Sequence, residues 1–216
     1  VSRAAFAVTA LALTILFGAG SDAFAHRLDE YLQATLVAIE PEGIRLQINL
    51  TPGVAVAGKV LAIIDSNHDG VVSTNEGAAY CERLARDLSV KLDGSVVKLK
   101  LSAFNVPAPE ELRSGSGIIQ VEFAVAAGFP APGRHRFSVL DSHLPEASVY
   151  LFNAGLPSSA AVKIIRQTRN ENQSFGEIEF SVEGAAGPTR NAPVGFWVAV
   201  AGIAGIGCLV WLLRKG

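Results

Sequence analysis

Residues 44–50 alternate strictly. Ile44, Leu46, Ile48 and Leu50 are apolar, and Arg45, Gln47 and Asn49 between them are polar. Period two is the signature of a strand with one buried face. The same reading extends to Tyr31–Ile39, which Pro41-Glu42-Gly43 joins to it as a hairpin turn. Thr51-Pro52-Gly53 breaks the alternation. Val54–Ile64 then predicts a helix, and a second helix is predicted over Thr74–Leu88, with Cys81, Leu84, Ala85 and Leu88 on its apolar stripe. Ser89–Leu92, the turn Asp93-Gly94 and Val96–Ala103 predict a second hairpin. A Pro-rich loop, Val106–Gly117, follows. Further strands are expected at Ile118–Ala126, His135–Asp141, Ser148–Phe152, Val162–Gln167 and Ile178–Val182. Eight or nine short strands predict a mainly β, sandwich-like domain with a helix–loop–helix inserted between strands two and three.

The polar run between the two helices carries the most specific chemistry. Residues 65–76 read Asp-Ser-Asn-His-Asp-Gly-Val-Val-Ser-Thr-Asn-Glu, the spacing of a twelve-residue EF-hand calcium loop. Calcium is a hard cation that takes six to eight oxygens in a flexible cage. Asp65, Asn67 and Asp69 supply side-chain oxygens at positions 1, 3 and 5. Val71 supplies its carbonyl at position 7, Ser73 its hydroxyl or a bridging water at position 9, and Glu76 both carboxylate oxygens at position 12. Gly70 permits the turn, Val72 provides the apolar position 8, and His68 occupies a non-ligand position facing water. A plain Asx-rich turn is the bland alternative. Ser73 and Glu76 also fit a capping box, which is compatible with a calcium loop running into its exit helix. No second such loop follows: Asp141-Ser142-His143 lacks the glycine and the closing glutamate. A lone loop outside the cytoplasm needs only about 10⁻⁴–10⁻³ M affinity and serves as a filled, structural site.

The ends of the chain set the expected location. Arg3, the apolar run Ala4–Phe17 and Ala23-Phe24-Ala25 have the form of a signal peptide over 1–25, leaving His26 first in the mature chain. Val194–Leu213 carries no charge and is long enough for a transmembrane helix, with Trp197 and Trp211 near its ends. Arg214 and Lys215 then mark a cytoplasmic tail at 214–216, and the Gly/Ala/Pro-rich 184–193 reads as a linker. The expected organisation is an exported, single-pass membrane protein whose body, 26–183, faces the periplasm, with room for a protein partner there or in the membrane.

Net charge is −2, so composition gives no basis for nucleic-acid binding. Cys81 falls on a helix and Cys208 in the span, so no disulfide is expected, and Cys81 reads as a small core residue. No metalloprotease, hydrolase-elbow or phosphate-loop motif is present, and the chain is not read as an enzyme. Glu110 and Glu111 after Pro109 read as a solvated helix start, and Ser114–Gly117 as a flexible turn. His26, His135 and His143 offer a transition-metal alternative; His135 and His143 would share a face if one strand reached both. Scattered surface histidines are the simpler reading.

Several stretches carry a resemblance: Ala25-His26-Arg27-Leu28-Asp29-Glu30-Tyr31-Leu32-Gln33-Ala34, Leu50-Thr51-Pro52-Gly53-Val54, the calcium loop, Ser148-Val149-Tyr150-Leu151-Phe152-Asn153-Ala154 and Asn172-Gln173-Ser174-Phe175. Together they resemble a group of exported bacterial EF-hand proteins with a C-terminal anchor. That group is similar to the extracytoplasmic part of HupE/UreJ-type and related nickel/cobalt transport proteins. The resemblance spans most of 25–182 and implies an exported protein of Gram-negative type linked to metal uptake. The chain departs from those transporters in having one span where they have several. The leading expectation is a membrane-anchored, calcium-binding domain with a structural or protein-interaction role. The alternative is an accessory domain that handles nickel, cobalt or copper beside a membrane transporter.

Overall fold

The computed structural model describes residues 29–128 and 130–183. The signal peptide expected at 1–25, His26, the linker at 184–193, the span at 194–213 with Cys208, and the tail at 214–216 lie outside the described residues. Among the described residues no helix is long and apolar enough to cross a membrane.

The domain is mainly β and built on two five-stranded sheets. The first sheet runs β5-β6-β2-β1-β8, with β1 at Tyr31–Glu40, β2 at Gly43–Pro52, β5 at Leu99–Asn105, β6 at Ile119–Val125 and β8 at Ser148–Ala154. The second runs β4-β3-β7-β10-β9, with β3 at Leu88–Leu92, β4 at Ser95–Val96, β7 at Gly133–Asp141, β9 at Val162–Arg169 and β10 at Phe175–Val182. Helices α1 (Val54–Ile64) and α2 (Thr74–Asp87) lie between β2 and β3, and α3 (Pro109–Arg113) interrupts the Pro-rich loop. β1 pairs antiparallel with β2 and parallel with β8.

The alternation read from β2 is borne out, since Ile44, Leu46, Ile48 and Leu50 are all buried. They join one core cluster that both sheets share, with Phe123 of β6, Phe137 of β7, Phe152 of β8 and Phe180 of β10. Burying a side chain of this kind contributes roughly 1.5–3 kcal/mol. α1 adds Val56, Val60, Leu61 and Ile64, and α2 adds Tyr80, Cys81 and Leu84. Cys81 is fully buried, which pushes its thiol up to about 12 and makes it a core residue.

One sequence expectation is corrected. Val96–Ala103 is not the return strand of one hairpin. After the two-residue β4, the chain leaves the second sheet and begins β5 in the first, at Leu99. Val97 remains tied to Val90 by its amide, 3.0 Å. The helix start read after Pro109, inside the Pro-rich loop, is present. Pro109 opens α3, whose Leu112 is completely buried.

One contact between the sheets tolerates no side chain. A Cβ on Gly176 of β10 would lie 2.1 Å from Phe152 Cδ1. Beside it, the free edge of β8 is covered by side chains from the other sheet. Gln167 Oε1 accepts from Ala154 N at 2.6 Å, and its Nε2 donates to Phe152 O at 3.2 Å. An amide side chain thus takes the place of a neighbouring strand on an edge that would otherwise be open for pairing.

Candidate functional site

α1 ends where the apolar run ends. Asp65 leaves helical geometry (φ −76°, ψ 81°), its amide still bonded to Leu61 O at 2.8 Å. α2 begins at Ser73, an extended N-cap residue. Ser73 Oγ accepts from Glu76 N at 3.3 Å, and Glu76 Oε2 accepts from Ser73 N at 3.0 Å, which completes a capping box. The eight residues from Asp65 to Val72 between the helices curl around their own carboxylates.

Asp65 Oδ1 accepts from Asp69 N at 3.2 Å and its Oδ2 from Gly70 N at 2.9 Å. Asn67 Oδ1 accepts from Asp69 N at 2.9 Å. Asp69 Oδ1 accepts from Val71 N at 2.9 Å, and its Oδ2 from Asn67 Nδ2 at 2.9 Å. Glu76 Oε1 reaches across the loop to the amides of Ser66, 2.9 Å, and Asn67, 3.3 Å. Gly70 has φ +85°, a region that glycine enters without steric cost, and His68 has φ +58° and is exposed. Val71 is exposed with its side chain outward, while Val72 packs against the core cluster.

All six residues picked from the sequence therefore lie on one folded loop, and hydrogen bonds tie all six to one another or to the loop backbone. The carboxylates themselves do not gather. Among the described residues no three His, Cys, Asp or Glu side chains form a metal-binding group. The loop's other oxygens come from an amide, a hydroxyl and a carbonyl, and such neutral donors make up much of a calcium cage. Bonds from Ser73 amide and hydroxyl are the main reason that Glu76 is held down at about 2. None of the ion pairs among the described residues involves Asp65, Asp69 or Glu76. Three carboxylates thus share a twelve-residue loop without a protein cation beside them.

His135 and His143 are not brought together. β7 ends at Asp141, so His143 lies in the turn beyond it and not on the strand that carries His135. His135 Nδ1 bonds Asp93 Oδ2 at 2.7 Å and its Nε2 bonds Ala131 O at 2.7 Å. Burial alone would lower the His135 pKa, but the bonds to Asp93 and Ala131 outweigh it and raise it. His143 is fully buried, and both of its ring nitrogens are engaged: Nδ1 with Asp87 Oδ2 at 2.7 Å and Nε2 with Tyr80 hydroxyl at 2.9 Å. Burial holds His143 below its ordinary value against the pull of Asp87.

This last set was missed from the sequence. The Tyr80 hydroxyl also bonds that of Tyr31 at 2.6 Å, so a buried chain runs Tyr31–Tyr80–His143–Asp87 from β1 through α2 to the β7–β8 turn and back. Its members lie up to 112 positions apart, and the only local signal was Tyr80 on the face of α2 that carries Cys81 and Leu84. No protein-family model, curated protein or solved structure matches the chain.

Proposed function

We propose that this chain is a calcium-binding domain of an exported, membrane-anchored protein. In this reading Asp65, Asn67, Asp69, Val71, Ser73 and Glu76 hold the ion through an inserted EF-hand. The observation that carries it is a closed loop that bears three carboxylates, with no protein cation among the described residues in contact. The backbone supports it. Asp65 already accepts from the amides at loop positions 5 and 6, Gly70 takes the turn at position 6, and Val72 points inward at position 8. A bound calcium would compete with the Ser66 and Asn67 amides for Glu76 Oε1, and its charge would offset the mutual repulsion of the acids.

The ion's role in this proposal is structural. The loop joins two helices that bury their faces in the core of the sheets, so filling it stiffens the insert against the β-domain. No catalytic step is assigned. The periplasmic location, the C-terminal span and a protein partner stand as parts of the same proposal, on the apolar 194–213, the leader-like 1–25 and the resemblance above. The nickel, cobalt or copper alternative draws no support from His135 or His143, whose ring nitrogens are already bonded within the domain.

Titration of the detergent-solubilised full chain with calcium, nickel and copper tests the reading. The expected result is calcium binding in the range of about 10⁻⁴–10⁻³ M that Asp65→Ala abolishes. Calcium binding unaltered by Asp65→Ala, or none at millimolar concentration, would sink it.

A further inference from the structure

Two buried side-chain acceptors lack a donor among the described residues, Asp141 Oδ2 and Gln33 Oε1. Gln33 is fully enclosed and Asp141 nearly so. Both are fixed to the same residue: Asp141 Oδ1 accepts from His143 N at 2.9 Å, and Gln33 Nε2 donates to His143 O at 2.7 Å. Gln33 Nε2 also donates to Ser148 Oγ at 2.6 Å, so its amide is oriented by two acceptors and its oxygen is left over. An ionised carboxylate and an amide oxygen are both acceptors, and leaving either unpaired in a dry interior is costly. One proton changes the count, since it turns Asp141 Oδ2 from an acceptor into a donor.

We propose that Asp141 is a neutral carboxylic acid in the folded domain, that its Oδ2 hydroxyl supplies the donor Gln33 Oε1 lacks, and that loss of this proton weakens the seat of α2. The surroundings favour the neutral form. Asp141 is faced by Tyr31 from β1, by Tyr80 and Asp87 from α2, by His143 from the turn and by Tyr150 from β8, and Cys81 of α2 bears on Tyr31 and Tyr80. Arg83 of α2 bears on Tyr80 and His143, and Glu146 on Tyr150. Asp87 is the charged neighbour that bears on Asp141 directly, and it repels a second carboxylate. Burial first, and Asp87 next, raise Asp141 to about 7 in spite of the His143 amide. Ionisation therefore places a second negative charge in the pocket where His143 and Tyr80 hold α2 to the sheets.

The sign follows from linkage. A carboxyl whose folded value lies above its unfolded one binds more protons folded than unfolded, so stability falls as pH rises from about 4 to about 7. His143, held low, acts oppositely below its ordinary value, and His135, held high, acts in the same direction as Asp141. Comparison with Asp141→Asn cancels both histidines. The Asn amide donates as the protonated acid does and cannot ionise.

The experiment is thermal melting of the detergent-solubilised full chain and of Asp141→Asn from about pH 5.5 to about pH 8.5, in chelator. The melting temperature of the variant relative to the unaltered chain is expected to rise by about 4–8 °C across that window. A difference that does not change with pH overturns the proposal. Infrared spectra of the unaltered chain need no variant. A protonated-carboxyl band near neutral pH that vanishes by about pH 8.5 is expected, and its absence at the low end overturns the proposal equally. Calcium is excluded from both measurements, so their outcome stands apart from that of the calcium reading.

Discussion

Glu76 and Tyr80 stand one turn apart on α2, and they bind in opposite directions. Glu76 reaches out to the amides of Ser66 and Asn67, whereas Tyr80 reaches into the core to His143 and Tyr31. The first two turns of α2 thus join the acidic loop to the two sheets through side chains at spacing i, i+4, which share one helix face. What fixes one end constrains the other.

The loop end depends first on its cap. Ser73→Ala removes the acceptor of the Glu76 amide and a donor to the Glu76 carboxylate. The expected loss is about 1 kcal/mol, measured in chelator by urea denaturation so that calcium plays no part. A midpoint unchanged from the unaltered chain would show that the cap contributes nothing to α2.

The core end depends on the Tyr80 hydroxyl. Tyr80→Phe leaves His143 Nε2 and the Tyr31 hydroxyl without a partner in a buried site, at an expected cost of about 1–3 kcal/mol. Tyr31→Phe should cost less once Tyr80 is already Phe, because their bond is then gone. A double-mutant cycle is expected to give a coupling of about 0.5 kcal/mol or more. Strict additivity would mean that the chain of hydroxyls is not one unit.

Acid should act through Glu76. Its folded value, about 2, lies below the ordinary 4.5, so its stabilising effect is complete above 4.5 and is lost as pH falls from there toward 2. Asp93 is also held low: burial raises it, but the His135 bond and the Arg136 amide more than offset that. Part of the acid slope therefore belongs to Asp93. Glu76→Gln is expected to flatten the rest of the melting-temperature curve between those limits in chelator, and an unchanged curve would refute the assignment.

The contact between sheets should tolerate no methyl group. Gly176→Ala forces a carbon into the Phe152 ring, and the expected destabilisation is about 1–3 kcal/mol or more. Phe152→Leu in the same chain should recover part of that loss. A recovery of zero by chemical denaturation would place the strain elsewhere.

Much of the fold is local enough to be read in advance. The bounds of α1 coincide with the predicted Val54–Ile64, because the apolar run stops where Asp65 begins the loop. β2 shows its alternation because one face meets solvent and the other the core. The capping box at Ser73 and Glu76 was legible for the same reason, its partners being three residues apart. The misreading of Val96–Ala103 has the opposite cause. Both halves have strand-like composition, and composition does not say that β4 and β5 belong to different sheets.

The sequence by itself determined the chemistry of the loop, since twelve consecutive residues carry its donors, its glycine turn and its helix cap. Only the tertiary structure decided what the loop is attached to. The chain from Tyr31 through Tyr80 and His143 to Asp87, and the bonds of Asp141 and Gln33 to the His143 backbone, join residues from β1, α2, β7 and the turn after it. Each is an ordinary strand, helix or turn residue in its own neighbourhood. Their function as a set exists because sheet packing removes them from water, where an unpaired polar group must find a partner however distant in sequence.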